Sequence, residues 1–378
     1  MSIECVDLVK KYGEVVAVDH VNLTFDEHKL SILIGPSGCG KTTILRMLNG
    51  LVPRTGGDIR YDGVSIGDMD PIALRRSIGY VIQEIGLFPH MSVYDNIATV
   101  PRLLKWNETR IRERIMELLD LVNLEPDRFM NQYPSQVSGG QRQRIGVARA
   151  LAADPKILLM DEPFGAIDPI NRERLQDSFL EIQRHIQKTI VFVTHDIREA
   201  VKLGDKIAIL DEGKLIQYDE TLTVINQPEN EFVENLLGSD RALKGLELLR
   251  VNDNYDRNFF SFPAEGGLTV KDGLERLRSE RRTFGFVQTD KRRLAGYILG
   301  KDLERDEKRG NTARKLDEHV KPIESIQPYG TLMEAISLMV TTGLTSVPVV
   351  DDRQNLLGVI RFRDVFERIE AMAGTGGE

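Results

Sequence analysis

The segment Gly35-Pro36-Ser37-Gly38-Cys39-Gly40-Lys41-Thr42-Thr43 fits the pattern G-x4-G-K-[ST]. It follows an apolar run and precedes a helical pattern, Ile44 to Asn49, the setting such a loop needs. Glycines let the loop turn several backbone N–H groups toward the β- and γ-phosphates. The helix N-terminus adds its partial positive charge. Lys41 is placed to reach the β/γ oxygens, and the Thr42 hydroxyl to bind Mg²⁺. A chance match in a chain of this length arises about one time in a hundred. The loop alone says that a nucleoside triphosphate binds.

Other residues suit hydrolysis of that triphosphate. Ile157-Leu158-Leu159-Met160 ends in Asp161-Glu162. Adjacent carboxylates at a strand end can divide the work, Asp161 holding Mg²⁺ through water and Glu162 orienting and deprotonating the attacking water. Many buried strands end in an acid, so this pair gains its meaning from the phosphate loop. Ser138-Gly139-Gly140-Gln141 precedes a helical pattern, Arg142 to Leu151. It offers a second set of backbone donors at a helix start, or a plain Ser N-cap with a Gly-rich turn. His195 follows the apolar run Ile190 to Val193, and Gln83 ends Tyr80-Val81-Ile82. A lone His is more often structural. At a strand's C-terminal end in an open α/β sheet it becomes a candidate γ-phosphate contact.

The elements that position these residues are legible in outline. Ser31–Ile34, Ile157–Met160, Ile190–Val193 and Ile207–Leu210 are continuously apolar, as strands covered on both faces are. Helical patterns lie between them, among them Ile111 to Leu121 and Arg172 to Ile186. The alternation predicts an α/β layer fold on a parallel sheet. Val6 to Phe25 reads as an antiparallel hairpin turning at Tyr12-Gly13-Glu14.

The chain changes character near 226–240, and an internal repeat follows. Residues 269–303 align without a gap on 331–365, with eight of 35 positions identical, against roughly two expected by chance. The identities are Thr269/Thr331, Thr283/Thr345, Val287/Val349, Asp290/Asp352, Leu294/Leu356, Gly296/Gly358, Ile298/Ile360 and Asp302/Asp364. Each copy reads helix, strand, turn, strand, helix, and a polar linker, Glu304 to Lys315, joins them. The expected domains are therefore 1–240 and 241–378, with repeats at about 250–304 and 318–372.

Net charge is −8 over 378 residues. Residues 1–240 carry 27 Lys+Arg against 36 Asp+Glu, whereas 271–315 carry 14 against 8. The acidic front argues against a nucleic-acid groove there. The basic stretch is a solvated surface, or an anion or membrane-surface patch. No apolar run approaches the eighteen or so residues that span a bilayer. The start Met1-Ser2-Ile3-Glu4-Cys5 lacks a basic, apolar leader. Two cysteines, Cys5 and Cys39, suit a reducing compartment. A cytoplasmic location is expected, with membrane contact through a partner. Cys39 sits inside the phosphate loop, so bulky alkylation there should block binding.

The order Tyr12, Gly35–Thr43, Gln83, Ser138–Gln141, Asp161-Glu162, His195 resembles the nucleotide-binding subunit of ABC transporters, over about residues 3–237. The resemblance implies a P-loop ABC-type domain: a parallel core sheet, an antiparallel β subdomain and a helical subdomain. It implies ATP and Mg²⁺ as cofactors. Tyr12 resembles the aromatic that stacks on adenine. Gln83 resembles the glutamine that contacts Mg²⁺ and communicates with the membrane subunit. Ser138, Gly139, Gly140 and Gln141 match the signature that binds the ATP of the opposite protomer. Asp168 matches the loop linking the two sites, and His195 the switch histidine. A homodimer on integral-membrane permease subunits follows, at the cytoplasmic face of the membrane. An extracytoplasmic binding protein would deliver the solute. Val137 replaces the usual Leu before the signature. Gly165-Ala166-Ile167-Asp168 replaces the usual Ser-Ala-Leu-Asp, without the serine hydroxyl.

Ile85 to Met91, Val100 to Trp106 and Asp161 to Ala166 look like importers of quaternary amines such as glycine betaine, carnitine or choline. Gly358-Val359-Ile360-Arg361-Phe362-Arg363-Asp364 resembles a CBS motif, and Gly296 to Asp302 its weaker twin. Such motifs bind a ribose through the terminal Asp, here Asp302 and Asp364. Leu299 and Arg361 stand where Thr or Ser is usual. Nucleotide binding, ionic-strength sensing and dimerisation all remain open for this pair. Two other functions stay in play: a soluble ABC-type ATPase acting on DNA or ribosomes, and a sugar-importer ATPase with a β-barrel tail. The absence of a second nucleotide domain or heptad run speaks against the first, and the helix-containing repeat against the second.

Overall fold

Apolar alternation at the start of the chain becomes a hairpin. Strands β1 (Ile3–Tyr12) and β2 (Val15–Phe25) pair antiparallel from Ile3–Phe25 to Tyr12–Val15, so Gly13-Glu14 alone form the turn. Val18, Val21, Leu23 and Phe25 are buried, while His20, Asn22 and Thr24 face water. With β4 (Gly56–Tyr61) and β5 (Val64–Ser65) the hairpin makes a four-stranded sheet ordered β2-β1-β4-β5. The computed structural model describes residues 1–82, 86–165, 167–289 and 292–373. It separates into two units, Met1–Ser239 and Asp240–Glu378.

The core of the first unit is a six-stranded sheet. Its strands are β3 (Leu30–Ile34), β6 (Ile78–Val81), β7 (Ile157–Asp161), β8 (Thr189–Val193), β9 (Lys206–Asp211) and β10 (Lys214–Glu220), ordered β10-β9-β3-β8-β7-β6. Pairing is parallel from β6 through β9. β3, β7 and β8 are buried along their whole length, which is why their sequences lack polar alternation. β10 departs from the parallel order. It folds back on β9 through Glu212-Gly213, whose φ of 43° and 81° give the left-handed pair a tight hairpin needs. Helices Lys41–Leu48 and Pro169–Ile186 belong to this layer. Val93–Leu103, Glu108–Leu121 and Gly139–Leu151 form a helical group. Phe164, Phe179 and Phe192 pack with ring centroids 5.9–6.4 Å apart, joining the loop after β7, helix Pro169–Ile186 and β8.

The second unit carries the repeat. Copy one has helix Val270–Ser279, β12 (Phe284–Gln288), β13 (Leu294–Leu299) and helix Gly300–Lys308, with β11 (Ser261–Pro263) parallel to β12. Copy two has helix Leu332–Thr342, β14 (Ser346–Val350), β15 (Leu356–Arg361) and helix Phe362–Ala373. Thr269 and Thr331 each cap the first helix of their copy with a reciprocal Asp272 or Glu334. The copies bond through equivalent atoms: Leu294 N–H donates to Gln354 O at 3.0 Å, and Leu356 N–H to Arg292 O at 2.8 Å. Each copy's second strand also bonds the segment that leads into the other. Tyr297 exchanges two hydrogen bonds with Lys321, and Val359 two with Asp256. A Cβ on Gly296 would lie 2.1 Å from Lys321 O, and one on Gly358 2.5 Å from Asp256 O. That close approach explains the glycine shared by both copies. Asp290, of the pair Asp290/Asp352, lies outside the described residues.

The expected linker from Glu304 is a correction. Residues 300–308 are helical. Leu303 and Asp306 turn inward, and Asp306 receives Arg314 at 3.0 Å and His319 at 3.2 Å. A buried carboxylate paired with the Arg314 guanidinium is held in place by this helix.

Candidate functional site

β3 delivers the chain into the phosphate loop. Gly35 and Gly40 have φ of 150° and 102°. A Cβ on Gly35 would meet Leu210 O at 2.0 Å and one on Gly40 Ala17 O at 2.4 Å, so the loop is clamped between β9 and β2. The helix begins at Lys41 rather than Ile44. Lys41, Thr42 and Thr43 are thus first-turn residues, whose N–H groups lack intrahelical partners. Lys41 Nζ donates to Gly35 O and Pro36 O, both at 2.8 Å, and lies 3.6 Å from Cys39 Sγ. Cys39 is only 3% exposed, and burial pushes its thiol above the usual range. A bulky reagent reaches it only by opening the loop.

β7 and β8 bring the acids and the histidine alongside. Thr42 Oγ1 donates to Asp161 Oδ1 at 2.9 Å, and Arg46 Nη2 is 3.9 Å from Asp161 Oδ2. Asp161 is 4% exposed. Burial raises its carboxyl above the ordinary value, opposed by the Thr42 hydrogen bond and Arg46. Glu162 has φ of 45°, left-handed for a residue with a side chain. It is held there by its N–H, which donates to Val193 O at 3.0 Å, and by Gly165 N–H, which donates to Glu162 O at 3.1 Å. Such strain, about 1–3 kcal/mol, clusters at functional sites. His195 Nδ1 lies 3.3 Å from Glu162 Oε1, with the histidine side chain 60% exposed. Lys41, Thr42, Asp161, Glu162 and His195 therefore meet at the C-terminal ends of the neighbouring strands β3, β7 and β8, where open α/β sheets bind ligands.

The remaining predicted residues stand apart from that cluster. Tyr12 ends β1, 50% exposed, with Lys10 Nζ 4.7 Å from its ring. Ser138 caps helix Gly139–Leu151 in a reciprocal box: its Oγ accepts from Gln141 N–H at 3.3 Å, and Gln141 Oε1 accepts from Ser138 N–H at 2.8 Å. The N-cap expectation and the helix-start donors thus occur together. Ser138, Gly139, Gly140, Gln141 and the exposed Asp168 line one cavity of about 580 Å³. Gln83 lies outside the described residues.

Sequence reasoning missed Asn96, Gln143 and Arg172. Asn96 is fully buried and bonds Phe88 N–H and the carbonyls of Phe88, Met91 and Ser92, fixing that segment. Gln143 donates from the helix Gly139–Leu151 to Pro163 O, just after Glu162. A polar residue on the inward face of a helix was the available signal.

Known proteins share this architecture. The ABC transporter family profile matches residues 18–165 and the CBS domain profile residues 316–371. The choline transport ATP-binding protein OpuBA of Bacillus subtilis is 41% identical over 95% of this chain and 93% of its own length. The glycine betaine/carnitine/choline transport ATP-binding protein OpuCA of the same organism is 41% identical over the same shares. A solved dimeric structure of the ATP-binding cassette MJ0796, bound to ADP and Pi, covers 58% of this chain and 98% of its own, with TM-score 0.52 and 34% identity. The chain therefore belongs to the ABC transporter family, as an ATP-binding subunit similar to these two relatives along nearly its whole length and carrying a C-terminal CBS domain, and it hydrolyses ATP to drive transport.

Proposed function

We propose that this chain energises uptake of a quaternary ammonium osmoprotectant, of the glycine betaine, carnitine or choline type. The observation that carries the hydrolytic part is the meeting of Lys41, Thr42, Asp161, Glu162 and His195 at three adjacent strand ends. The solute class rests on relatives related along nearly the full chain.

The residues take these roles. The loop Gly35–Thr43, with Pro36, Ser37, Gly38 and Cys39 forming its turn, cradles the phosphates of ATP. Lys41 exchanges its loop carbonyls for β/γ oxygens. Tyr12 offers its exposed ring to the adenine. Glu162 accepts a proton from the attacking water, held in place by its strained backbone and by His195. His195 turns its exposed ring toward the γ-phosphate. The fit to Mg²⁺ is one of donor type: Thr42 and Asp161 present hard oxygens 2.9 Å apart. Among the described residues no cluster of three His, Cys, Asp or Glu makes a protein cage, as suits an ion that keeps phosphate and water ligands. When bound, Mg²⁺ would neutralise charge on the β- and γ-oxygens, and the family resemblance gives Gln83 a part in holding it.

Ser138–Gln141 and Asp168 line one cavity; the family resemblance and the dimeric relative support an arrangement in which each ATP is covered by the signature of a second chain. ATP holds such a dimer closed and hydrolysis releases it. No helix among the described residues is long and apolar enough to cross a membrane. The chain works from the cytoplasmic face, docked on permease subunits through the region from Gln83 to Trp106, while an extracytoplasmic binding protein supplies solute. In the repeat unit Lys321 Nζ is 2.6 Å from Asp302 Oδ2, and Arg361 Nη2 2.7 Å from Asp256 Oδ2. With Asp302 so engaged, regulation by ionic strength fits this pair better than ribose binding. Uptake of radiolabelled betaine by cells with and without this subunit tests the solute. Loss of uptake on deletion, restored by the gene, is expected; unchanged uptake of betaine, carnitine and choline would overturn it.

A further inference from the structure

Two loops flank the site, and one side chain joins them. The chain leaves β7 at Glu162, passes Ile167-Asp168 and enters helix Pro169–Ile186. The other loop leaves β8 through Thr194, His195 and Asp196. Arg172, in the first turn of the helix, donates from Nη2 to Ile167 O at 3.0 Å. Its Nη1 lies 3.6 Å from Asp196 Oδ2.

Asp196 is itself fixed. Its Oδ1 accepts from Arg198 N–H at 2.9 Å and from Glu199 N–H at 3.4 Å, and its own N–H donates to Thr194 Oγ1 at 3.0 Å. Beneath it, the buried Glu199 accepts from Gln176 Nε2 at 3.0 Å. Arg172 and Gln176 are four residues apart, on one face of one helix. That face grips the His195 loop at Asp196 and the helix after it, Ile197–Leu203, at Glu199, while Arg172 also reaches back to the loop after Glu162.

We propose that Arg172 is a positioning residue that straps the loop Pro163–Asp168 to the loop bearing His195. The two sides of the hydrolytic site then move together. The proposal rests on the reading of Glu162 and His195 as the hydrolytic pair. It also says how this chain manages with Gly165, which has no hydroxyl to contribute: the link runs through the Ile167 carbonyl. A planar guanidinium serves two acceptors at fixed angles, whereas a lysine ammonium serves them poorly.

The test uses the full chain in complex with its permease, reading kcat, KM for ATP and melting temperature. Arg172→Gln and Asp196→Asn should each lower kcat about tenfold with KM and melting unchanged, since a misplaced group costs rate rather than binding. Asn retains the helix cap, so Asp196→Asn removes the charge alone. The double variant should be no slower than either single one, and Arg172→Lys should recover only part of the loss. Multiplying losses, a wild-type kcat in Arg172→Gln, or a loss that tracks melting would overturn the strap. His195→Ala separates the two claims. If it abolishes turnover while Arg172→Gln turns over at the wild-type rate, only the strap fails. If His195→Ala turns over normally, the hydrolytic reading fails and the strap with it.

Discussion

Gly40 and Gly358 both stand where a Cβ would strike the carbonyl of a distant segment, Ala17 O at 2.4 Å and Asp256 O at 2.5 Å. In the first unit, close approach holds the phosphate loop against β2. In the second it seals one repeat copy against the other. The polar groups differ in the same way. Around Gly40, Lys41, Glu162 and His195 are gathered at strand ends with a strained backbone. Around Gly358 and Gly296, Arg361 and Lys321 are spent on ion pairs with Asp256 and Asp302. One residue type thus fixes the phosphate loop in the first unit and joins the repeat copies in the second.

The largest effect that sharpens this contrast is expected at Lys41. Lys41→Ala should lower ATP turnover about 10²–10³-fold and leave unfolding of the repeat unit unchanged. Turnover within threefold of wild type would break the contrast at its functional end.

Next come the two glycines. Gly358→Ala should cost the repeat unit about 1–3 kcal/mol through overpacking and leave ATP affinity intact. Gly40→Ala should do the reverse, weakening ATP binding while the repeat unit unfolds at its usual urea concentration. Swapped phenotypes would show that the two close approaches had been assigned to the wrong roles.

The smallest effect concerns Asp302. The hydrogen bond from Lys321 holds its carboxyl below the usual range. A depressed acid contributes stability that is complete above the unfolded value near about 3.9 and is lost as pH falls through the lower folded value. Repeat-unit stability should therefore decline below about pH 4, and Lys321→Met should flatten that decline. The change is about 1 kcal/mol or less, because Lys321 is half exposed. An identical acid profile in Lys321→Met would remove the ion pair from the account.

Much of this was legible before the structure. Continuous apolar runs announced β3, β7, β8 and β9 because burial on both faces leaves no place for polar alternation. The 62-residue offset announced the repeat because equivalent atoms must meet. What escaped notice was set by long-range contact. β10 reverses through a two-residue turn that periodicity does not register. The helix Gly300–Lys308 is highly charged, so Glu304 to Lys315 looked like solvent linker until Leu303 and Asp306 were seen to face inward. At the site, the motif residues stood out by type, whereas Asn96, Gln143 and Arg172 are ordinary polar side chains defined only by the carbonyls they reach. The left-handed backbone of Glu162 has no sequence signature, since Glu is not a residue that favours it.

The central claim is that Glu162 is the base of an ATPase whose nucleotide is held by Gly35–Thr43. Turnover and ATP affinity of Glu162→Gln, measured on one preparation, test it most directly. The account predicts ATP bound at near wild-type affinity with turnover reduced at least about 10²-fold. Hydrolysis at the native rate, or ATP affinity lost together with turnover, would contradict it.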